Sequence, residues 1–471
     1  MLKPVISTTL LNFKSPVEAE QIFAHFANTP WAFWLDSCDS CHDDCQYDIM
    51  VWQPSITLTT HADNTIINWL NDDGIITKSQ QSNADPLSLV NQFQASIFPS
   101  PYLSQNSLPF IGGALGYFAY DLGQRFEKLP NTSLQDINLP EMAVGIYQQA
   151  IIIDRKSNKT WLVCPKSKQE KLRVYLEQRL TKTPKTHVPF RLKSDWQSNM
   201  SKQAYQEKFA QVQNYLLSGD CYQINLAQRF IADYQGDEYQ AYLALRKANN
   251  APFSAFMRFE NSAILSISPE RFLQISNNRK VQSKPIKGTR PRNADKIIDK
   301  QNAIELKNAA KDQAENLMIV DLLRNDISKA CIAGTVKVPQ LFAIESFPAV
   351  HHLVSTVEGQ LTKDKTPTDL LRGAFPGGSI TGAPKIRAME IIEQLEPNKR
   401  SIYCGSIGYI SACGKMDTNI TIRTLVCQQA PKTSKIYCWA GGGLVADSNV
   451  DSEYQETFDK VNKILPVLSK L

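Results

Sequence analysis

Apolar and polar positions along the chain alternate between two periods. Tyr205, Phe209, Val212 and Leu216 fall on one helical face, with Ser201 placed to cap the helix and Gly219 to stop it. Ser15-Pro-Val-Glu-Ala-Glu-Gln-Ile-Phe-Ala-His-Phe predicts another helix, with Pro16 at its first position. A long helix is predicted from about Asn302 to Arg324, and a last one from Ser452 onward. Strand patterns lie between these. Ala150-Ile-Ile-Ile-Asp and Trp161-Leu-Val-Cys flank a polar turn at Ser157-Asn158, and Ser254-Ala-Phe-Met-Arg-Phe and Ala263-Ile-Leu-Ser-Ile-Ser flank Glu260-Asn-Ser, so both read as hairpins. Residues 406–445 read as a meander of three strands, turning at Cys413-Gly414 and Pro431-Lys432. Hairpins with interspersed helices predict an α+β fold with antiparallel sheet.

The stretch Thr181-Lys-Thr-Pro-Lys-Thr-His-Val-Pro is polar and proline-broken, and predicts a linker between regions 1–190 and 195–471. The composition is globular, with 42% hydrophobic and 21% charged residues in 471. A formal charge of +5, without a basic block, argues against nucleic acid and suits a small anionic substrate. No apolar run is long enough for a membrane span, and the first residues lack a secretory layout, so the expected location is the cytoplasm. Most of the ten cysteines sit beside apolar residues, as reduced core cysteines do. The exception is Cys38-Asp-Ser-Cys41-His42 with Cys45. It imitates a haem-attachment or zinc motif, yet four ligands within eight residues crowd one tetrahedral ion, so loop cysteines are expected there.

Two acidic pairs stand out. Asp312 and Glu315 share a face of the long helix, and Glu453 and Glu456 repeat the spacing in the last one. Such carboxylates can hold Mg²⁺, a hard ion that prefers oxygen, or can simply complement helix dipoles, with Ser452 and Gln455 forming a capping box. Gly377-Gly-Ser-Ile-Thr-Gly-Ala-Pro-Lys385 begins like a P-loop but has its lysine two positions late; what remains is an anion cradle opening a helix near Ala383. Gly441-Gly-Gly443 is a second glycine run where backbone can approach a ligand. Lys287, Glu270 and His351-His352 carry no signal in isolation.

Their order does carry one. Gly-Asp-Cys-Tyr-Gln-Ile-Asn (219–225), Ser-Pro-Glu-Arg-Phe, Pro-Ile-Lys-Gly-Thr-Arg-Pro-Arg, Ala-Glu-Asn-Leu-Met-Ile-Val-Asp-Leu-Leu-Arg-Asn-Asp, Phe-Pro-Gly-Gly-Ser-Ile-Thr-Gly-Ala-Pro-Lys and Ala-Gly-Gly-Gly-Leu-Val-Ala-Asp-Ser follow one another, and Phe110-Ile-Gly-Gly-Ala-Leu-Gly-Tyr-Phe-Ala-Tyr-Asp121 lies upstream. The chain thereby resembles the chorismate-utilising enzymes. The resemblance implies a two-lobed α/β sandwich with large antiparallel sheets, outer helices and the site in a cleft between sheets. It implies Glu315 and Glu456 as direct Mg²⁺ ligands, with Asp312 and Glu453 nearby or acting through water. Gly442 and Gly443 would offer backbone donors to a carboxylate, Arg423 and Tyr409 would meet the enolpyruvyl carboxylate, and Thr381 and His352 would face the ring.

Lys287 selects a branch within that family. Anthranilate-forming members typically carry alanine in this position, and members that aminate chorismate at C4 carry lysine. The expected reaction is therefore chorismate plus ammonia to 4-amino-4-deoxychorismate, on the route to 4-aminobenzoate and folate. Lys287 would be the covalent nucleophile and Glu270 the general acid. No amidotransferase nucleophile segment is visible, so ammonia is expected from a separate glutamine amidotransferase subunit in a heterodimer. The resemblance also implies an L-tryptophan pocket, with Ser37 on one wall, Pro252, Phe253 and Ser254 on the other, and Asp44, Cys45, Gln46 and Tyr47 at the rim. The cysteine-rich stretch departs from the family there. Two alternatives remain open at this point: an anthranilate-forming enzyme, and a non-catalytic tryptophan-binding regulator on the same fold.

Overall fold

The computed structural model describes the chain except residues 1–3, 14–16, 39–43, 99–106, 181, 183–187 and 348–349. Pro16, Cys41, His42 and most of the expected linker lie outside the described residues. Two large antiparallel sheets dominate, of 13 and 12 strands among the described residues. Their strands come from both sequence regions. In the first sheet Phe33–Asp36 pairs with Phe253–Arg258, and in the second Gly113–Phe118 pairs with Ser406–Ser411. No helix among the described residues is long and apolar enough to cross a membrane.

Alternation of side chains decides which face each residue covers. Phe33, Ile49 and Val51 join the core shared by the two sheets, with Ile56, Leu58, Tyr117 and Val144 of the second sheet. Their neighbours Trp34 and Met50 point the other way, onto a layer with Phe23, Tyr239, Tyr242 and Leu468 from covering helices. A sheet buried on both faces explains why its strands read as continuous apolar runs.

Both predicted hairpins form, Ala150–Asp154 with Lys159–Pro165 and Phe253–Arg258 with Ser262–Ser268. The helix Lys202–Leu217 is capped by Ser201, whose hydroxyl accepts from Ala204 N–H at 3.1 Å. Four expectations need correction. The first helix is short, Ala19–Ala24, closed by a capping box between Glu18 and Gln21. The predicted long helix is two, Lys296–Asn308 and Ala310–Ser328, broken where Ala309 turns extended. The last long helix, Val450–Asp459, is followed only by the short Leu465–Leu468 among the described residues and is capped by Asn449, which accepts from Asp451 and Ser452 N–H, and not by Ser452.

The fourth correction bears on the site. Residues 406–445 hold four strands: Ser406–Ser411 and Met416–Asn419 belong to the second sheet, Thr424–Gln428 and Ser434–Leu444 to the first. Residues 420–423 therefore cross from sheet to sheet. A second crossing lies between Ser262–Ser268 of the first sheet and Arg271–Ile275 of the second. The two crossings are tied together, because Ile420 N–H donates to the Glu270 carbonyl at 3.0 Å and Ser268 Oγ to the Ile420 carbonyl at 2.6 Å.

Candidate active site

These crossings present two of the predicted site residues. Glu270 sits on one, with 5% of its surface exposed, and Arg423 on the other, in the left-handed region at φ 51°. Ser379 Oγ donates to Glu270 Oε1 at 3.0 Å, and the Ile286 N–H also donates to this carboxylate. Burial dominates these contacts and the attraction of Lys287, so Glu270 is pushed up to about 7. Ser379 belongs to the glycine loop that resembled a phosphate cradle. That loop is braced from behind, where Arg400 Nη1 donates to the Ile380 carbonyl at 3.0 Å and Thr381 Oγ1 to the Gly377 carbonyl at 3.0 Å. Its lysine, Lys385, pairs with the buried Asp326 and is structural. The helix after the loop begins at Lys385.

Lys287 lies on the strand Ile286–Pro291, beside the residue whose N–H reaches Glu270. A bulge at Gly288 (φ 74°) changes the register between Lys287, opposite Leu353, and Thr289, opposite His352. A Cβ on Gly288 would lie 2.8 Å from Asp312 Cγ, so the close approach of the helix Ala310–Ser328 requires glycine there. That helix brings Glu315 to the amine: Lys287 Nζ stands 3.7 Å from Glu315 Oε2, with 13% and 18% of the two side chains exposed. Burial lowers the pKa of Lys287; Glu315 opposes that shift, and Lys460 reinforces it. A buried amine pressed toward its neutral form thus adjoins a buried carboxyl pressed toward its protonated form.

The second acidic pair arrives from the last helix. A Cβ on Gly442 would lie 3.1 Å from Glu453 Oε2 and 3.5 Å from Glu456 Oε1, so both carboxylates close on this glycine. Burial raises the Glu453 pKa, and Glu456 adds to the shift against a 2.7 Å hydrogen bond from Ser448 Oγ. Lys460 Nζ pairs with Glu456 Oε1 at 2.7 Å and donates to the Gly441 carbonyl at 2.7 Å. Asp312 is held by Arg290 at 3.4 Å. Among the described residues no three His, Cys, Asp or Glu side chains stand together at metal-ligand spacing, and lysine amines lie beside Glu315 and Glu456.

The structure therefore brings Lys287, Glu270, Glu315, Glu453, Glu456 and Gly442 into one electrostatic neighbourhood, which Arg423 joins through its attraction to Glu270. The Arg423 guanidinium has no hydrogen-bond or ion-pair partner among the described residues. Gly443 pairs with Asn225 and presses on Gln223, whose amide would sit 2.2 Å from an added Cβ. His352 Nδ1 is 2.8 Å from Thr289 Oγ1, and its ring meets Phe347 edge to face. Thr381 is buried, with its carbonyl accepting from Asn225 N–H at 2.8 Å.

Tyr409, the residue expected beside Arg423, lies on the strand Ser406–Ser411. Its ring packs onto Phe110, at 5.7 Å and edge to face, and lines a cavity with Arg271, Asp417 and Tyr47. This cavity, about 410 Å³, is lined by Ser37, Asp44, Gln46, Tyr47, Pro252, Phe253 and Ser254; Cys45 is buried but does not line it. Arg271 spans it, pairing with Asp44 at 2.6 Å and Asp417 at 2.9 Å and stacking 4.8 Å above Phe253. At the back, Ser37 N–H and Oγ both donate to Asp48 Oδ1 at 3.0 Å. Every cysteine among the described residues is free.

Three residues were missed at the sequence level. Ser379 lay inside a motif read only for its glycines. Lys460 lay one helical turn after Glu456, a spacing that could have been read as an ion pair. Gln223 lay within a segment used only for resemblance, and both polar atoms of its buried amide lack a hydrogen-bond partner.

Comparison with known proteins places these features. A family model described as chorismate binding enzyme matches residues 31–466. The chain is 52% identical to the aminodeoxychorismate synthase component 1 of Salmonella typhimurium, over 99% of this chain and 99% of that protein. It is 52% identical to the protein of that name from Escherichia coli, over 100% and 99%. Identity to the anthranilate synthase component 1 of Thermus thermophilus is 37%, over 83% and 85%. Among solved structures, anthranilate synthase component I of Streptococcus pneumoniae superposes with a TM-score of 0.76 at 29% identity, covering 89% of this chain and 92% of that one. The chain belongs to the chorismate-binding enzyme family.

Proposed function

We propose that this chain is the synthase component that aminates chorismate at C4, giving 4-amino-4-deoxychorismate, the precursor of 4-aminobenzoate and folate. One observation carries the reading: Lys287 and Glu270, the two groups the reaction needs, are neighbours whose burial favours the neutral amine and the protonated acid. The names of the relatives at 52% identity over the whole chain support the same branch.

The lone pair of Lys287 Nζ bonds to C2 of the ring. The two ring double bonds shift from C1–C2 and C5–C6 to C1–C6 and C4–C5, and the C4 hydroxyl leaves as water with the proton of Glu270. Ammonia then adds at C4, the double bonds return, and the lysine amine is expelled from C2. One proton of the incoming nitrogen restores Glu270, so chorismate and ammonia become 4-amino-4-deoxychorismate and water. Ser379 holds the acid in place, and Arg423, its guanidinium unengaged, is the partner for a substrate carboxylate.

The donor set suits Mg²⁺: hard carboxylate oxygens on two helices, with Glu453 and Glu456 close enough to repel each other over a glycine that leaves them room. Glu315 and Glu456 would hold the ion, with Asp312 and Glu453 beside them or acting through water. When bound it would supply positive charge to the ring carboxylate. Ammonia would come from a glutamine amidotransferase subunit, since component 1 relatives imply a second component. The cavity beside Arg271 has the size and the paired charges for an amino acid, and L-tryptophan is the proposed occupant. The free, mostly buried cysteines suit a cytoplasmic enzyme.

The test is to give the purified chain chorismate, Mg²⁺ and ammonium and to identify the products by mass and fluorescence. Aminated chorismate that yields 4-aminobenzoate only on addition of a lyase supports the proposal. Fluorescent anthranilate with pyruvate release, or no turnover, refutes it.

A further inference from the structure

Each carboxylate expected to bind the divalent ion directly already carries an amine. Lys287 Nζ lies 3.7 Å from Glu315, and Lys460 Nζ lies 2.7 Å from Glu456. The two lysines differ in what else they can do. The Lys287 side chain is 13% exposed and is committed to the chemistry. The Lys460 side chain is 41% exposed, at the end of the last helix, with a four-carbon stem that can carry its ammonium into water. Its second contact, 2.7 Å to the Gly441 carbonyl, tethers it beside Gly442, the glycine against which Glu453 and Glu456 close.

We infer that Lys460 is a built-in counter-ion, seated on Glu456 until the divalent cation arrives and displaced into solvent when it binds. This rests on the reading that these carboxylates hold Mg²⁺. A dication on Glu456 Oε1 would meet the ammonium at contact distance, where like charges repel, so binding of one disfavours the other. While the lysine is in place, it relieves the repulsion between Glu453 and Glu456. Lys460 is thus a positioning residue that lowers the apparent metal affinity and keeps the carboxylates pre-arranged. An ordinary pair of residues four apart on a helix would be indifferent to metal, and that difference is measurable.

The experiment titrates Mg²⁺ into the full chain, without chorismate, by calorimetry, with Mn²⁺ binding followed by electron paramagnetic resonance. Wild type, Lys460→Met, Lys460→Arg and Glu456→Gln are compared, each verified by its thermal unfolding; Lys460→Gln replaces the methionine variant if that one is not recovered folded. Removing the competing charge should tighten Mg²⁺ binding about 2- to 5-fold, the range for loss of one partly exposed ion pair, while the arginine variant stays near wild type. Unchanged or weaker binding by Lys460→Met, with Glu456→Gln weakened, overturns the counter-ion role and leaves the metal site standing. If wild type binds no Mg²⁺, or Glu456→Gln binds it as wild type does, the metal reading fails and this inference falls with it.

Discussion

Replacing Glu270 by glutamine changes one ionisable group in a position that is 5% exposed and leaves its shape nearly intact. The amide oxygen can still accept from Ser379 Oγ and the Ile286 N–H. The native carboxyl titrates near 7, against an ordinary value of 4.5. The folded state therefore holds this proton more tightly than the unfolded chain. The stability it contributes is fully present below about pH 4.5 and is lost as pH rises through about 7. A shift of roughly 2.5 units corresponds to about 3 kcal/mol, the cost of keeping the ionised carboxylate in the fold at alkaline pH. Glutamine carries no such cost. Urea unfolding of both proteins at pH 4 and pH 9 should show similar stability at the lower pH and a variant more stable by about 3 kcal/mol at the higher. The same substitution removes the proton donor, so C4 amination should fall roughly 10²- to 10⁴-fold. Equal stability at pH 9 would mean that this carboxylate ionises without penalty, and would refute the argument that burial makes it an acid.

Lys287→Ala should abolish C4 amination while the far-ultraviolet circular dichroism spectrum and cooperative unfolding persist, since the amine supports the chemistry more than the strand. Arg423→Ala should raise KM for chorismate with less effect on kcat; losing a charge-assisted contact worth about 2 kcal/mol predicts a change of roughly 30-fold in steady-state assays. Tyr409→Phe should leave chorismate kinetics unchanged and alter L-tryptophan affinity in equilibrium dialysis, because the ring lines the Arg271 cavity. In wild type, the Glu270 carboxyl, pushed up to about 7, should set one limb of the pH profile of kcat/KM, and Glu270→Gln should remove that limb from whatever activity remains.

Local patterns made the hairpins and the helix Lys202–Leu217 legible, because alternation and capping are encoded within a few residues. They could not show that Phe33–Asp36 would pair with Phe253–Arg258, since nothing in a strand's own period names a partner more than 200 residues away. The same limit hid the sheet-to-sheet crossings, which bring Glu270 and Arg423 within electrostatic reach of each other. The cavity that Tyr409 lines was hidden for a related reason: a one-residue choice of face sends a strand residue to one cavity or another, and register is a long-range property. Lys287 and Glu270 were visible only through resemblance, whereas the acidic pairs stood out by their spacing on two helices. Ala309 broke the predicted long helix without glycine or proline to announce it.

The most direct test of a covalent lysine is the mass of the protein itself. The chain is incubated with chorismate and Mg²⁺ without ammonium, quenched in acid, and analysed intact and as peptides. The account predicts a fraction of the protein heavier by chorismate less one water, with the label on Lys287 and its disappearance when ammonium is added. Unmodified Lys287 in a preparation that goes on to make the 4-amino product, or a Lys287→Ala variant that makes it undiminished, would contradict the account.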